Sequence, residues 1–61
     1  MDNAELKKAV KQIRGEITAQ AYKIAHLRST ADFSTSLTNV KNLSKAIRYL
    51  DEARRALYEI G

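Results

Sequence analysis

The 61-residue chain contains no cysteine, no proline and no tryptophan, and it has only two glycines. Without cysteine it can form neither disulfides nor thiolate metal sites. Its single histidine, His26, cannot build a metal site without help from carboxylates, so we expect no metal and no cofactor. A chain of this length forms one domain, residues 1–61, whose core alone rarely contributes more than ~3–5 kcal/mol. Association with another chain is the stabilising device that remains.

Long apolar segments are missing as well. No run approaches the ~18 apolar residues that a membrane-spanning helix needs, and the first residues lack the basic-then-apolar layout of a secretion signal. We therefore expect no membrane partner and a cytoplasmic location. The net charge is +4, from 11 basic and 7 acidic residues. This balance favours acidic partners only weakly.

Helix-breaking residues are absent from the centre of the chain, where residues 29–39 read STADFSTSLTN. Apolar residues recur on both sides of this segment at alternating spacings of four and three, which is typical of a heptad seam on an amphipathic helix. The first seam is Leu6, Val10, Ile13, Ile17, Ile24 and Leu27, with Gln20 in the polar slot. The second is Val40, Leu43, Ile47, Leu50 and Leu57, with Arg54 in the remaining slot and Ala46, Ala53 and Ile60 widening one side.

The two seams are out of phase. Ala31 closes the first and Val40 opens the second, nine residues later. At about 100° per residue this leaves a half turn, so the stripes of one continuous helix would face opposite ways. Folding back lets both stripes meet. The sequence thus predicts an all-α, antiparallel two-helix hairpin with helices at about 3–31 and 35–59. A long continuous helix is the alternative, because no Gly or Pro interrupts the chain.

The predicted helix ends rest on capping residues. Asp2 to Glu5 has the form of a capping box at the start of the first helix. Ser and Thr suit helix ends because their side chains compete for backbone hydrogen bonds. Asp32, Ser34 and Ser36 are possible N-caps of the second helix, and we favour Ser34. Gly61 can end that helix, while Phe33 and Leu37 can cover the open end of the core.

A two-helix hairpin by itself leaves the flanks of both seams exposed to water. Pairing two hairpins into a four-helix bundle would close the core, so we expect a homodimer. Docking onto a larger protein partner that supplies the missing layer is the alternative.

Basic residues form a stripe on each helix. The candidate contacts to nucleic acid or to an acidic partner are Lys7, Lys11, Arg14, Lys41, Lys45, Arg48 and Arg55. Such stripes can follow phosphates. They are equally typical of a solvated helical face.

A second set of residues can pack against another helix. Small residues accompany Tyr22 on the back of the first helix, and mid-helix Gly15 costs ~1 kcal/mol relative to Ala, which suggests a packing role. Tyrosines are amphipathic and suit the edges of interfaces. The candidate helix-packing interface is Gly15, Tyr22, Ala25, Tyr49 and Tyr58. The polar seam residues Gln20 and Arg54 are of the kind that sets register or oligomeric state, and Glu16 lies close enough to pair with Arg54.

Part of the second helix resembles a ribosomal family. Leu27-Arg28 and the segment VKNLSKAI at residues 40–47 resemble the second half of the helical-hairpin protein at the tunnel exit of the large ribosomal subunit. The resemblance covers about half of the chain and implies contacts to ribosomal RNA through Lys41, Lys45 and Arg48. The sequence departs from the pattern at Ser44, where that family prefers a base, and at Arg48-Tyr49, where it prefers Ala followed by a base. In size and plan alone, the chain is also similar to small hairpins that dimerise into RNA-binding four-helix bundles, such as the repressor of primer.

No set of residues suggests catalysis, and no Gly-rich phosphate loop is present, so we do not expect an enzyme. The leading prediction is a small helical-hairpin interaction module that works through protein–protein binding, as a homodimer or with a larger partner. The alternative is an RNA- or DNA-binding regulator or ribosomal component that uses the basic stripes.

Overall fold

The computed structural model describes residues 1–31 and 34–60 and has two helices. Helix α1 spans Asn3–Thr30 and helix α2 spans Leu37–Tyr58. They pack side by side as a helical hairpin about 50 Å long and 14 by 13 Å across, measured between Cα atoms. The predicted hairpin is therefore confirmed, and the helix bounds agree with the predicted ones to within two residues.

The ends of α1 are capped by local side chains. The Asp2 carboxylate accepts a hydrogen bond of 2.8 Å from the backbone N–H of Glu5, which satisfies one of the unpaired donors of the first turn. In the last turn, the hydroxyls of Ser29 and Thr30 donate to the carbonyls of His26 and Leu27. The backbone at Ala31 is extended. Ser and Thr thus surround a helix end that has no Gly or Pro.

Helix α2 begins at a different cap from the predicted one. Ser36, not Ser34, is the N-cap, and its hydroxyl accepts a 3.1 Å hydrogen bond from the N–H of Asn39. Ser36 has the extended backbone that aims a hydroxyl at the third residue of the helix, whereas Ser34 lies in the preceding turn. Asp32, Phe33 and Gly61, which carried other predictions, lie outside the described residues.

The prediction that Leu37 covers the end of the core is wrong. Leu37 is 68% exposed. It is the first residue of α2 and lies about 80° around the helix from Ile47, a seam residue, so its side chain is on a flank of the hairpin at the end of the helix.

The second seam packs as predicted. Its six heptad positions are all partly buried: Val40, Leu43, Ile47, Leu50, Arg54 and Leu57. Of the three residues predicted to widen it, Ala46 is partly buried, whereas Ala53 and Ile60 are exposed. Ile17 and Leu50, one from each helix, line the same groove between the helices.

The first seam, by contrast, divides into two sets. Val10, Ile17 and Ile24 face α2 together with Arg14 and Ala21, and these five are buried or partly buried. The alternate positions are exposed, with Leu6 at 37%, Ile13 at 44% and Leu27 at 56%; Gln20 is exposed too. The prediction that the whole seam meets α2 is therefore wrong. A contact between two helices covers only one narrow stripe of each, and the second half of the seam lies on a flank.

Candidate interaction surfaces

The hairpin has two broad sides, which we define by the flanks of its helices. Rotating by about 100° per residue from the inward-facing seams assigns each remaining position to one side. The apolar face carries Leu6, Ile13, Gln20 and Leu27 from α1 with Ala46 and Ala53 from α2. The basic face carries all seven candidate cationic contacts: Lys7, Lys11, Arg14, Lys41, Lys45, Arg48 and Arg55.

The apolar face is marked by the absence of charge on α2. The charged residues within this helix are Lys41, Lys45, Arg48, Asp51, Glu52, Arg54 and Arg55. At about 100° per residue they all fall within about half of the helix circumference. The other half extends from the seam across the apolar face to Tyr49 at the back, with only apolar residues, Asn, Thr and Tyr. A helix side without charge is typical of a buried surface.

The uncharged half of α2 also contains a second heptad seam. Leu43, Ala46, Leu50, Ala53 and Leu57 follow one another at spacings of three and four, and their apolar stripe lies beside the seam that meets α1. Such spacing is the pattern for knobs-into-holes packing. The small side chains of Ala46 and Ala53 would let another helix approach closely. Helix α2 is therefore patterned to pack on two sides, and the hairpin covers one of them.

The basic face results from the antiparallel docking of the two helices. Each stripe is on the flank of its own helix, and folding back places both flanks on the same side. Six of the seven cationic residues are exposed, and Arg14 is partly buried. Among residues 1–31 and 34–60, Lys41, Lys45 and Arg48 form no ion pair, so their charges remain available to a partner.

Arg14 has a structural partner. Its guanidinium carbon lies 4.0 Å from the centre of the Tyr58 ring, the distance of a cation–π contact. This contact joins the first half of α1 to the last residue of α2. Its Nε atom is buried and has no hydrogen-bond acceptor within the described parts of the chain. Among the seven cationic residues, Arg14 is therefore the one whose side chain is most involved in contacts within the hairpin.

Asp51 forms ion pairs with two arginines of α2. Its carboxylate oxygens pair with Arg54 at 2.7 Å and with Arg55 at 3.0 Å. The predicted pair between Glu16 and Arg54 does not form. Asp51 is one turn away on the same helix, so Arg54 reaches it without crossing the interface, as is common for i, i+3 pairs. The charge of Arg55 is partly balanced by this carboxylate.

A groove of about 420 Å³ lies between the helices in the middle of the hairpin. Ile17, Ala21, Ile47 and Leu50 supply apolar lining. The α1 side adds Thr18, Tyr22 and Ala25, and the α2 side adds Ser44, Arg48, Asp51 and Arg54. Most of these positions belong to the basic face. This groove was not predicted, because it depends on how two flanks meet.

The predicted helix-packing interface is not one surface. Tyr22 and Ala25 line the groove, while Tyr58 lies under Arg14. Tyr49 is on the back of α2 and is 57% exposed, with the Arg48 guanidinium 5.6 Å from its ring centre. Gly15 is exposed, and a Cβ there would meet no atom within 4 Å. No close helix approach inside the hairpin therefore explains Gly15.

Residues 1–31 and 34–60 contain no cluster of three or more His, Asp or Glu side chains that could hold a metal ion. His26 is exposed on α1. Neither helix in the described part of the chain is long and apolar enough to cross a membrane.

Comparison of the chain with protein-family models, curated proteins and solved structures found no match. The resemblance of residues 40–47 to the ribosomal hairpin family therefore gains no support from these comparisons.

Sequence reasoning missed the uncharged half of α2, although the signal was present. Projecting the charged residues of α2 around a helical wheel is enough to find it. The groove had no such signal, since it requires the positions of both helices.

Proposed function

We propose that this protein is a non-enzymatic, cytoplasmic interaction module that acts by protein–protein binding through its apolar face. The observation that carries the proposal is the incomplete core. Val10, at 6% exposed, is the only buried residue in residues 1–31 and 34–60. Burial of a large aliphatic side chain contributes ~1.5–3 kcal/mol, whereas fixing the backbone costs ~1–2 kcal/mol per residue. A hairpin that keeps Leu6, Ile13 and Leu27 partly in water gains little of this stabilisation.

We propose that the first protein partner is a second copy of the chain. Two apolar faces placed together would form a four-helix bundle. Leu6, Ile13 and Leu27 on α1 alternate in size with Ala46 and Ala53 on α2, and large beside small is the arrangement that lets layers interdigitate. The hairpin is 50 Å long, so one side offers roughly the 800 Å² per partner of a standard interface.

The charge distribution supports pairing of two copies through their apolar faces rather than through their basic faces. Pairing through the basic faces would bring Lys7, Lys11, Lys41 and Lys45 of two copies together, and like charges at close range are repulsive. Pairing through the apolar faces leaves these residues in water. Gln20 is the polar residue among the four α1 positions that define the apolar face, and one polar group at a seam position is known to fix register and oligomeric state.

The experiment is sedimentation equilibrium combined with thermal unfolding over a range of protein concentrations. We expect a dimer at micromolar concentration and a melting temperature that rises with concentration, because association stabilises only the folded chains. A compact monomer whose melting temperature does not change with concentration would overturn the homodimer. If the chain is monomeric and poorly folded alone but becomes helical with a larger protein, that protein is the partner of the apolar face.

A further inference from the structure

We infer that the basic face is a second binding surface, and that its partner is single-stranded nucleic acid held by its phosphates along α2. This inference goes beyond protein–protein binding and uses the opposite side of the hairpin. A dimer formed through the apolar faces would leave both basic faces open.

The cationic track runs along the flank of α2, where Glu52 interrupts it before Arg55, and its member Arg48 also lines the groove. Lys41, Lys45 and Arg48 follow each other at spacings of four and three, and Arg55 extends the same line. From Lys41 to Arg55 the track is ~21 Å long at 1.5 Å per residue. A stacked strand has a phosphate every ~3.4 Å, so the track passes about six phosphates. Lys7 and Lys11 extend the positive surface on α1.

The opposite wall of the groove is neutral and carries an aromatic ring. Thr18 and Ala25 are small, and Tyr22 between them lines the groove while remaining 75% exposed. Proteins that bind single strands combine a positive groove for the backbone with aromatic side chains on which bases stack. Here Arg48 lines the α2 side of the groove, with Lys41 and Lys45 farther out on the same flank, and Tyr22 lines the α1 side.

An acidic amphipathic helix is the competing partner, since a groove with apolar lining also accepts helices. The charge distribution favours the nucleic acid. A helix with acidic flanks would be matched by basic residues on both walls, whereas none of the α1 residues that line the groove is basic. One charged wall facing one neutral, aromatic wall suits a chain with phosphates on one edge and bases on the other.

Fluorescence anisotropy with a short labelled oligothymidylate, titrated at ~50 mM and ~200 mM salt, tests the inference. We expect micromolar binding at low salt, with a slope of log affinity against log salt of about −2 to −3, as three to four phosphate contacts give. Replacing Lys41 and Lys45 together by Ala should weaken binding at least tenfold and reduce the slope by about 1.4.

The matched control is the double variant Lys8→Ala and Lys23→Ala. It removes the same net charge from exposed lysines of α1 that point away from the groove, and it should retain most of the affinity. Tyr22→Ala should weaken binding about tenfold through lost stacking, whereas Tyr22→Phe should not. Helical content and sedimentation, measured on every variant, separate loss of binding from loss of folding or of the dimer.

Three results would overturn the inference. No binding at tens of micromolar in low salt removes the nucleic acid as a partner. Equal losses in both lysine pairs would show attraction by net charge alone. Tighter binding of an acidic helical peptide, persisting at ~200 mM salt, would assign the groove to a protein.

Discussion

The two helices distribute their charges differently. In α1, charged residues such as Lys8, Arg14 and Lys23 spread over about two thirds of the helix circumference, whereas the charges of α2 occupy only half of it. In the isolated hairpin, neither helix has more than one covered side. The charge pattern of α2 is typical of a helix that can be covered on two sides, because a helix side without charge gains from being covered. Helix α1 has the pattern of an outer helix.

The strongest test of this difference is a new charge on the uncharged half of α2. Ala53 is exposed in the hairpin, so Ala53→Glu should cost little in a lone hairpin. In the proposed bundle the carboxylate would be buried without a partner, at ~3–5 kcal/mol. We expect sedimentation to show loss of the dimer, with loss of helical content at micromolar concentration.

The control for this variant is Ala19→Glu on the outer back of α1, where the side chain is exposed. It should leave both dimer and melting temperature nearly unchanged. If the two variants behave alike, the uncharged half of α2 is not an interface.

A core substitution in each helix should have the next largest effect. Ile17 and Leu50 are partly buried and line the same groove. Replacing either by Ala should cost ~2–5 kcal/mol through lost burial and a residual cavity, which is comparable to the whole stability of so small a domain. Lys11→Ala and Lys45→Ala should change stability by less than ~0.5 kcal/mol. Denaturant unfolding measures all four, and lysine variants as unstable as Ile17→Ala would mean that the buried side is wrongly assigned.

The smallest expected effect comes from Gln20, the polar position of the apolar face. In the dimer, Gln20→Leu should raise the melting temperature modestly, by the gain of one apolar side chain at the seam, and it should relax the choice of register or oligomeric state. At concentrations where the chain is monomeric, the gain should vanish because residue 20 is then in water. A gain that does not depend on concentration would place Gln20 outside the interface.

Several features of the fold were accessible from the sequence because their causes are local. Periodicity of apolar residues defined both helices, and the half-turn phase difference between the seams required the chain to fold back. Asp2 capped α1 as predicted, since a cap depends on residues three positions apart. Ser36 replaced Ser34 because the sequence offers several equivalent hydroxyls and only the backbone conformation selects among them.

The candidate surfaces could be predicted from the sequence only in part. The seven cationic residues were identified one helix at a time, without knowledge that they share a side. The sequence predicts that Arg14 contacts a partner, whereas in the hairpin it contacts Tyr58. This contact could not be predicted because the two residues are far apart in the chain. Likewise, Asp51 rather than Glu16 pairs with Arg54, because Asp51 is one turn away on the same helix whereas Glu16 is on the other helix.

The sequence by itself determined that this chain forms two amphipathic helices, where the first begins, and that they meet in antiparallel order. These properties follow from spacing along one helix and from the rotation between the two seams. Only the tertiary structure decided which half of the first seam meets α2, which flanks lie on the same side, and that a groove opens between them. Docking fixes the rotation of each helix about its own axis, and that rotation depends on side-chain packing across the interface rather than on the repeat within either helix.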